Sequence, residues 1–182
     1  MSVAAESFAG DSLAGDCLAG EFPADSDPVQ TARVIALRRL NAAPRSRAEL
    51  AEDLRQRGVP LEAAEEVLDR FTEVGLIDDA AYANAWVGSR HRGRGLARPV
   101  LRRELQAKGI AASLVEEALD VIDDDAEIDR ARALAVRRLP SLARLDAASR
   151  QRRLIGFLMR RGYPVGIAAK VTREVLGADQ DC

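Results

Sequence analysis

VGLIDDAAYANAWVGSRHRGRGLARPVLRRELQAKGI, residues 74–110, reads as two helices separated by a glycine-rich joint. Asp78 has the chemistry of a helix start, because its carboxylate can accept the unpaired N–H groups of a first turn. With Asp78 as N-cap, Ile77 and Tyr82 are placed to meet as a hydrophobic staple. The first helix is expected to run through Trp86 to Arg92 and to break at Gly93-Arg94-Gly95. Pro99 then suits the first position of a second helix, since it has no N–H to leave unpaired. Lys108-Gly109-Ile110 closes that helix: glycine adopts the left-handed conformation freely, and the lysine faces the negative end of the helix dipole.

The same ending recurs along the chain. Glycines at 58, 109 and 162 lie 51 and 53 residues apart, each preceded by a base: Arg57, Lys108 and Arg161. Leucines stand four and eight residues before each glycine: Leu54 and Leu50, Leu105 and Leu101, Leu158 and Leu154. Apolar residues follow at three, six, nine and thirteen: Leu61, Ala64, Val67, Phe71; Ala112, Val115, Ala118, Ile122; Val165, Ala168, Val171, Val175. Such self-similarity marks a repeat architecture. No alternating stretch competes, so the fold class is all-α. The predicted helices are 28–42, 46–57 and 60–74; 79–92, 99–108 and 111–122; 125–139, 146–161 and 165–176. Asp27-Pro28-Val29-Gln30 and Ser46-Arg47-Ala48-Glu49 read as capping boxes, and Val34, Leu37 and Leu40 as the inward stripe of the first helix. The domain reading is a tail over 1–26, three-helix repeats over 27–77, 78–122 and 123–177, and a short tail over 178–182. Units of about 50 residues are near the lower limit for folding alone. They are expected to lean on their chain neighbours and form an elongated, curved body.

Charge is unevenly spread. Residues 1–27 hold six acids and no base, and three of the acids open pentapeptides ending Ala-Gly over 6–20, whose period fits neither helix nor strand. That composition predicts disorder; a solubilising role is one reading, and competition for basic surface as an acidic mimic is another. Residues 28–177 carry 27 bases against 21 acids. Arg90 to Lys108 contains seven bases and one acid, and Arg150 to Arg161 five arginines and no acid. No apolar run approaches the roughly 18 residues of a membrane span, and no basic, then apolar, leader opens the chain. Cys17 and Cys182 both lie in tails and make no disulfide framework, so a cytoplasmic location is the expectation.

Gly75-Leu76-Ile77-Asp78-Asp79, Tyr82-Ala83, Arg90, Gly95 and Glu104-Leu105-Gln106-Ala107-Lys108-Gly109-Ile110 together resemble the RecX family, bacterial regulators of the RecA recombinase. The resemblance covers about 28–177, and the triplicated three-helix plan is shared with that family. It implies a protein that lies along the groove of the RecA filament on single-stranded DNA. It implies inhibition of RecA ATP hydrolysis, strand exchange and coprotease activity, and so modulation of homologous recombination, DNA repair and the SOS response. A free monomer and no membrane association are expected. The acidic tail lies outside the family pattern.

Catalytic chemistry finds little foothold. His91, the single histidine, stands between Arg90 and Arg92, with no acid and nucleophile of a triad beside it in sequence. It reads as solvated or phosphate-contacting. Asp123-Asp124-Asp125 is a carboxylate cluster at a helix start and reads as a cap; no metal or cofactor is expected. Gly93-Arg94-Gly95 follows no strand and leads to no Gly-Lys-Ser/Thr, so it is not a phosphate loop. Tyr82 and Trp86 share a helix face, as core or as an exposed stacking platform. The chain is therefore read as a binder. Arg90, Arg92, Arg94, Arg98, Arg102 and Arg103, with Arg152, Arg153, Arg160 and Arg161, are the candidate contacts to DNA or to an acidic RecA surface. Only two lysines occur, and the planar fork of arginine suits bidentate contact with phosphate or carboxylate. The rival readings are a helix-turn-helix DNA-binding regulator and a helical scaffold with no nucleic-acid link.

Overall fold

The computed structural model describes residues 27–180. The readings of the 1–26 tail fall outside them. Among the described residues all regular secondary structure is helical, with no strand: α1 (Pro28–Ala42), α2 (Arg47–Gln56), α3 (Leu61–Glu73), α4 (Asp79–Arg94), α5 (Arg98–Ala107), α6 (Ala112–Asp120), α7 (Asp124–Arg138), a 3-10 turn (Leu139–Leu142), α8 (Ala147–Arg160) and α9 (Val165–Gln180). α1 packs with α2 and α3, α4 with α5 and α6, and α7 with α8 and α9. Each triplet encloses its own apolar cluster, centred on Leu50, Leu54 and Leu68; on Leu101, Leu105 and Leu119; and on Leu154, Leu158 and Val171.

The middle helices end alike. Gly58, Gly109 and Gly162 have φ of 74°, 72° and 92°. The residue after each glycine donates to a leucine carbonyl five residues back: Val59 to Leu54 at 3.2 Å, Ile110 to Leu105 at 3.2 Å and Tyr163 to Leu158 at 3.3 Å. This is a Schellman ending, which satisfies the last carbonyls and turns the following side chain inward. Val59, Ile110 and Tyr163 are accordingly buried.

Several local expectations shift. Leu61, Ala112 and Val165 are exposed rather than inside, because each lies in the first turn of its helix, before that helix meets its neighbours. In α1 the buried stripe is Ala32 and Ala36, with Leu37 and Leu40 at its edge and Val34 exposed. Ala83 and Val87 take the same places in α4, and Ala131 and Ala135 in α7. These mostly small residues lie where the first helix of each unit packs against its core. α4 continues through Gly93 to Arg94, and Gly95, at φ 64°, is its cap. α5 begins at Arg98, which puts Pro99 at its second position. Ile77 packs into the first cluster while Tyr82 packs against the second, so the two residues seal different cores. Ser46 and Glu49 form the full reciprocal capping box; Asp27 caps α1 by accepting from Val29 alone.

The units join end to end through their middle helices. Ser46, at the start of α2, donates its hydroxyl to the Lys108 carbonyl at the end of α5, at 2.7 Å. At the second junction the Ala97 N–H, at the start of α5, donates to the Arg161 carbonyl at the end of α8, at 2.9 Å. Each contact sets the negative end of one helix against the positive end of another. An acid from the following unit completes each helix start. Asp79 accepts from the Arg47 N–H at 2.9 Å, and the buried Glu127 accepts from the Arg98 N–H at 2.9 Å. Ala97 itself is buried in the third cluster. In α8 the pattern stops. Arg47 and Arg98 precede the first core leucine by three residues, whereas Ala147 precedes Leu154 by seven, and Asp146 caps the longer helix locally through Ser149. The third middle helix thus has one more N-terminal turn than the other two.

The first junction has a charged clasp with two pH limbs. Lys108 Nζ lies 2.7 Å from Glu49, which also accepts from the Tyr82 hydroxyl at 3.3 Å. Burial opposes ionisation of Glu49, but the Lys108 ammonium, the Ser46 N–H and Arg45 outweigh it and hold the carboxyl below its ordinary value. Lys108 is likewise opposed by burial and raised overall by Glu49 and Tyr82. A depressed carboxyl contributes stability that is complete above its unfolded value, about 4.3, and is lost as pH falls through the folded one. A raised ammonium contributes stability that is complete below about 10.4 and is lost as pH rises through its folded value. The clasp is therefore expected to hold across neutral pH and to loosen at both extremes. Trp86, the single tryptophan, reports on it, since Lys108 Nζ lies 4.3 Å from its ring centre. Glu49→Gln is expected to flatten the acid limb of a Trp86 fluorescence titration; an unaltered limb would show that the clasp does not govern it.

Candidate polyanion interface

The ten candidate arginines fall into two electrostatic classes. Arg98 and Arg102 are compensated by acids that stand on later helices. Arg98 pairs with Asp124 and, at 3.2 Å, with Glu127. Arg102 makes two bonds to Glu116, at 2.7 and 2.6 Å. Both guanidinium groups are held above their ordinary value, by Asp124 first for Arg98 and by Glu116 first for Arg102. The middle patch, which the sequence showed with Glu104 as its one acid, is thus partly neutralised from α6 and α7. Arg90 is also engaged. Its guanidinium carbon lies 4.2 Å over the Trp86 ring, and its Nε is 4.0 Å from Glu104, which accepts from Trp86 Nε1 at 2.8 Å. Tyr82 and Trp86 stack at 6.0 Å, half-buried against the second core, so they serve packing and the clasp together.

The remaining arginines are differently placed. Arg92, Arg94, Arg103, Arg152, Arg153 and Arg160 are exposed, and Arg161 is half-buried. Among the described residues none of the seven has a carboxylate within 4.0 Å. Arg103 Nε contacts the Pro99 carbonyl at 3.3 Å, and Arg152 contacts the Ser149 hydroxyl at 3.3 Å. The second junction brings the two patches together. Arg161 Nε donates to the Arg94 carbonyl at 3.3 Å, Arg130 donates to the Arg92 carbonyl, and the Tyr163 hydroxyl donates to the Gly95 carbonyl at 3.2 Å. Three side chains of the third unit thereby satisfy the open carbonyl end of α4. Tyr163 is pushed up to about 12, by burial first and by Glu127 next.

Two arginines absent from the sequence reading belong here. Arg137 and Arg138, in the last turn of α7, stand beside the end of α8. Burial lowers Arg161 from its ordinary value, and the charges of Arg137, Arg160 and Arg138 push it the same way against the opposing effect of Tyr163. Like charges disfavour one another's ionisation, and Arg137, Arg138, Arg160 and Arg161 form a positive cluster with no acidic partner among the described residues. The signal was available in the adjacent pair Arg137-Arg138. A cleft of about 340 Å³ opens in this cluster, lined by Arg138, Arg152, Arg153, Gly156, Phe157 and Arg160. Arg161 lies 3.9 Å over the Phe157 ring, and Arg138 lies 5.7 Å from it.

The other chemistry stays modest. His91 Nδ1 lies 3.0 Å from the Leu96 carbonyl and helps to close the α4 turn. Asp123 caps α7 by accepting from the Ala126 N–H. Among the described residues no cluster of three metal-ligating side chains occurs, and no helix is long and apolar enough to cross a membrane.

Comparison with known proteins places the three helical units in one family. Family models for the first, second and third three-helix domains of RecX match residues 32–71, 78–119 and 125–172. The regulatory protein RecX of Streptomyces coelicolor is 53% identical over 150 residues, covering 82% of this chain and 80% of the relative. That of Thermobifida fusca is 47% identical over 156 residues, covering 86% and 84%. The crystal structure of RecX from Lactobacillus salivarius superposes with a TM-score of 0.73 at 21% identity, over 81% of this chain and 96% of that one, a likeness of fold.

Proposed function

Since the chain belongs to the RecX family of regulatory proteins, we propose that it binds the RecA filament on single-stranded DNA, lies along the filament groove and inhibits RecA. ATP hydrolysis, strand exchange and coprotease activity are the outputs it restrains, and through them homologous recombination, DNA repair and the SOS response. It acts by occupancy, with no reaction of its own, as a monomer when free and in the cytoplasm with its partner.

The observation that carries this reading is the set of arginines on both sides of the second junction that have no acidic partner among the described residues. A polyanionic filament is recognised by such a surface through many charge-assisted bonds. Arg92, Arg94, Arg103, Arg152, Arg153, Arg160 and Arg161 are the primary contacts in this proposal. Arg90, Arg98 and Arg102 enter by exchanging an intramolecular partner for one on the filament. Units joined only to their chain neighbours suit a repeating polymer, because each can meet a different protomer.

The test uses RecA filaments assembled on single-stranded DNA with ATP. The protein is expected to sediment with them and to slow ATP hydrolysis. Protein left in the supernatant, with hydrolysis unchanged, would overturn the reading.

A further inference from the structure

The cleft in the third unit has a composition that charge recognition alone does not need. Four of its six lining residues are arginines, and the other two are Gly156 and Phe157. Phe157 is half-buried, and its ring is backed by the Arg161 guanidinium at 3.9 Å. Gly156 leaves space beside it. A Cβ there would meet Arg160 Nη1 at 3.3 Å and nothing else within 4 Å. At about 340 Å³ the cleft is at the small end of the range for small-ligand sites, roughly 300–1,000 Å³. An acidic protein surface would be held by the arginines and would gain nothing from an aromatic ring with a side chain missing next to it. A nucleobase uses both, since aromatic rings and guanidinium planes stack on bases of any sequence.

We propose that this cleft is a subsite for one nucleotide of single-stranded nucleic acid. The base lies against Phe157 over the gap at Gly156, and the flanking phosphates rest on Arg138, Arg152, Arg153 and Arg160. Bases of an intact duplex are stacked on each other and do not enter. The proposal rests on the function given above and deepens it, because it assigns the third unit to the nucleic acid of the filament and not to the recombinase protein.

The experiment measures anisotropy of a labelled oligothymidylate against an oligonucleotide of equal length with abasic sites, using the full chain without RecA. The two probes carry the same phosphates. Wild type is expected to prefer the base-bearing probe by about tenfold. Phe157→Leu keeps apolar bulk but removes the stacking face, and is expected to erase that preference. Gly156→Leu fills the cleft and shifts only the flexible end of Arg160, which both probes meet alike, so the difference between the probes tests the same point. Equal affinity of wild type for the two probes would overturn the subsite, as would a preference that survives both substitutions. Displacement of the probe by polyglutamate as effectively as by unlabelled oligothymidylate would assign the cleft to acidic protein and also overturn it. The two levels separate cleanly. If RecA inhibition persists while base preference is absent, only the subsite falls. If base preference is present while RecA filaments are ignored, the subsite stands and the RecA function falls.

Discussion

Replacing Gly109 with alanine is expected to destabilise the protein about twice as much as the same replacement at Gly75. Both glycines are left-handed, with φ of +72° and +71°. An alanine in that conformation costs about 1–2 kcal/mol. At Gly75 the new methyl meets nothing within 4 Å, so the backbone cost is the whole cost. At Gly109 it would lie 2.2 Å from the Ala48 Cβ, across the first junction. Ala48 has no rotatable side chain to move aside, so the junction itself has to open. Overpacking of this kind adds about 1–3 kcal/mol. The expected totals are about 1–2 kcal/mol at Gly75 and about 2–5 kcal/mol at Gly109. Thermal unfolding followed by circular dichroism measures both, with Trp86 emission reporting the junction. In the Gly109→Ala background, Ala48→Gly removes the clashing carbon and is expected to recover part of the loss, a non-additivity visible in a double-mutant cycle. Equal losses at Gly75 and Gly109 would show that the two units do not meet there.

The largest functional effect is expected from Arg153→Glu with Arg160→Glu. The two residues are seven apart in α8 and share a face, both are exposed, and among the described residues neither has an acidic partner. Reversing them leaves the folded state nearly untouched, since exposed substitutions of this kind stay within about 0.5 kcal/mol. Against a polyanion each reversal replaces attraction by repulsion. A combined loss of at least about hundredfold in affinity for the filament is expected. On single strands the log–log salt slope is expected to shrink by about 0.7 for each phosphate contact removed, or about 1.4 for both. Arg102→Glu is the instructive contrast. Arg102 reaches the filament only by leaving Glu116, so its net gain there is small, and the exposed pair it leaves contributes under about 1 kcal/mol. Exchanging the two charges with Glu116→Arg restores that pair and is expected to leave most inhibition intact. The readouts are retention on RecA filaments and the rate of ATP hydrolysis. Full inhibition by the Arg153/Arg160 variant would remove the cleft from the proposed function.

What could be read from residue order alone was what repeats locally. The base-glycine endings and the paired leucines before them announce three middle helices, because a Schellman turn draws on neighbours five residues apart. Leu61 and Val165 misled because periodicity places a residue on a face but does not say how far along the helix its partner extends. A stripe chosen by side-chain size favours Val34, Leu37 and Leu40 over the buried Ala32 and Ala36, since size is a poor guide where helices must approach closely. The junctions had no local signature. Ser46 meets a carbonyl 62 residues away, and Tyr163 one 68 residues away. The same distance problem hid the neutralisation of the middle patch. Glu116, Asp124 and Glu127 lie 14 to 29 residues from the arginines they engage, so a running count of charge could not assign them.

The additional turn at the start of α8 occupies the place where a further module would dock by the pattern of the two junctions. A fourth copy would need a helix that starts one turn before its first core leucine to receive its final carbonyl, as those begun by Ser46 and Ala97 do for their successors. At that place the chain offers residues 147–150, already wound and plugged by Asp146. Lengthening the array by duplication would therefore require trimming that turn and supplying a substitute for Asp146.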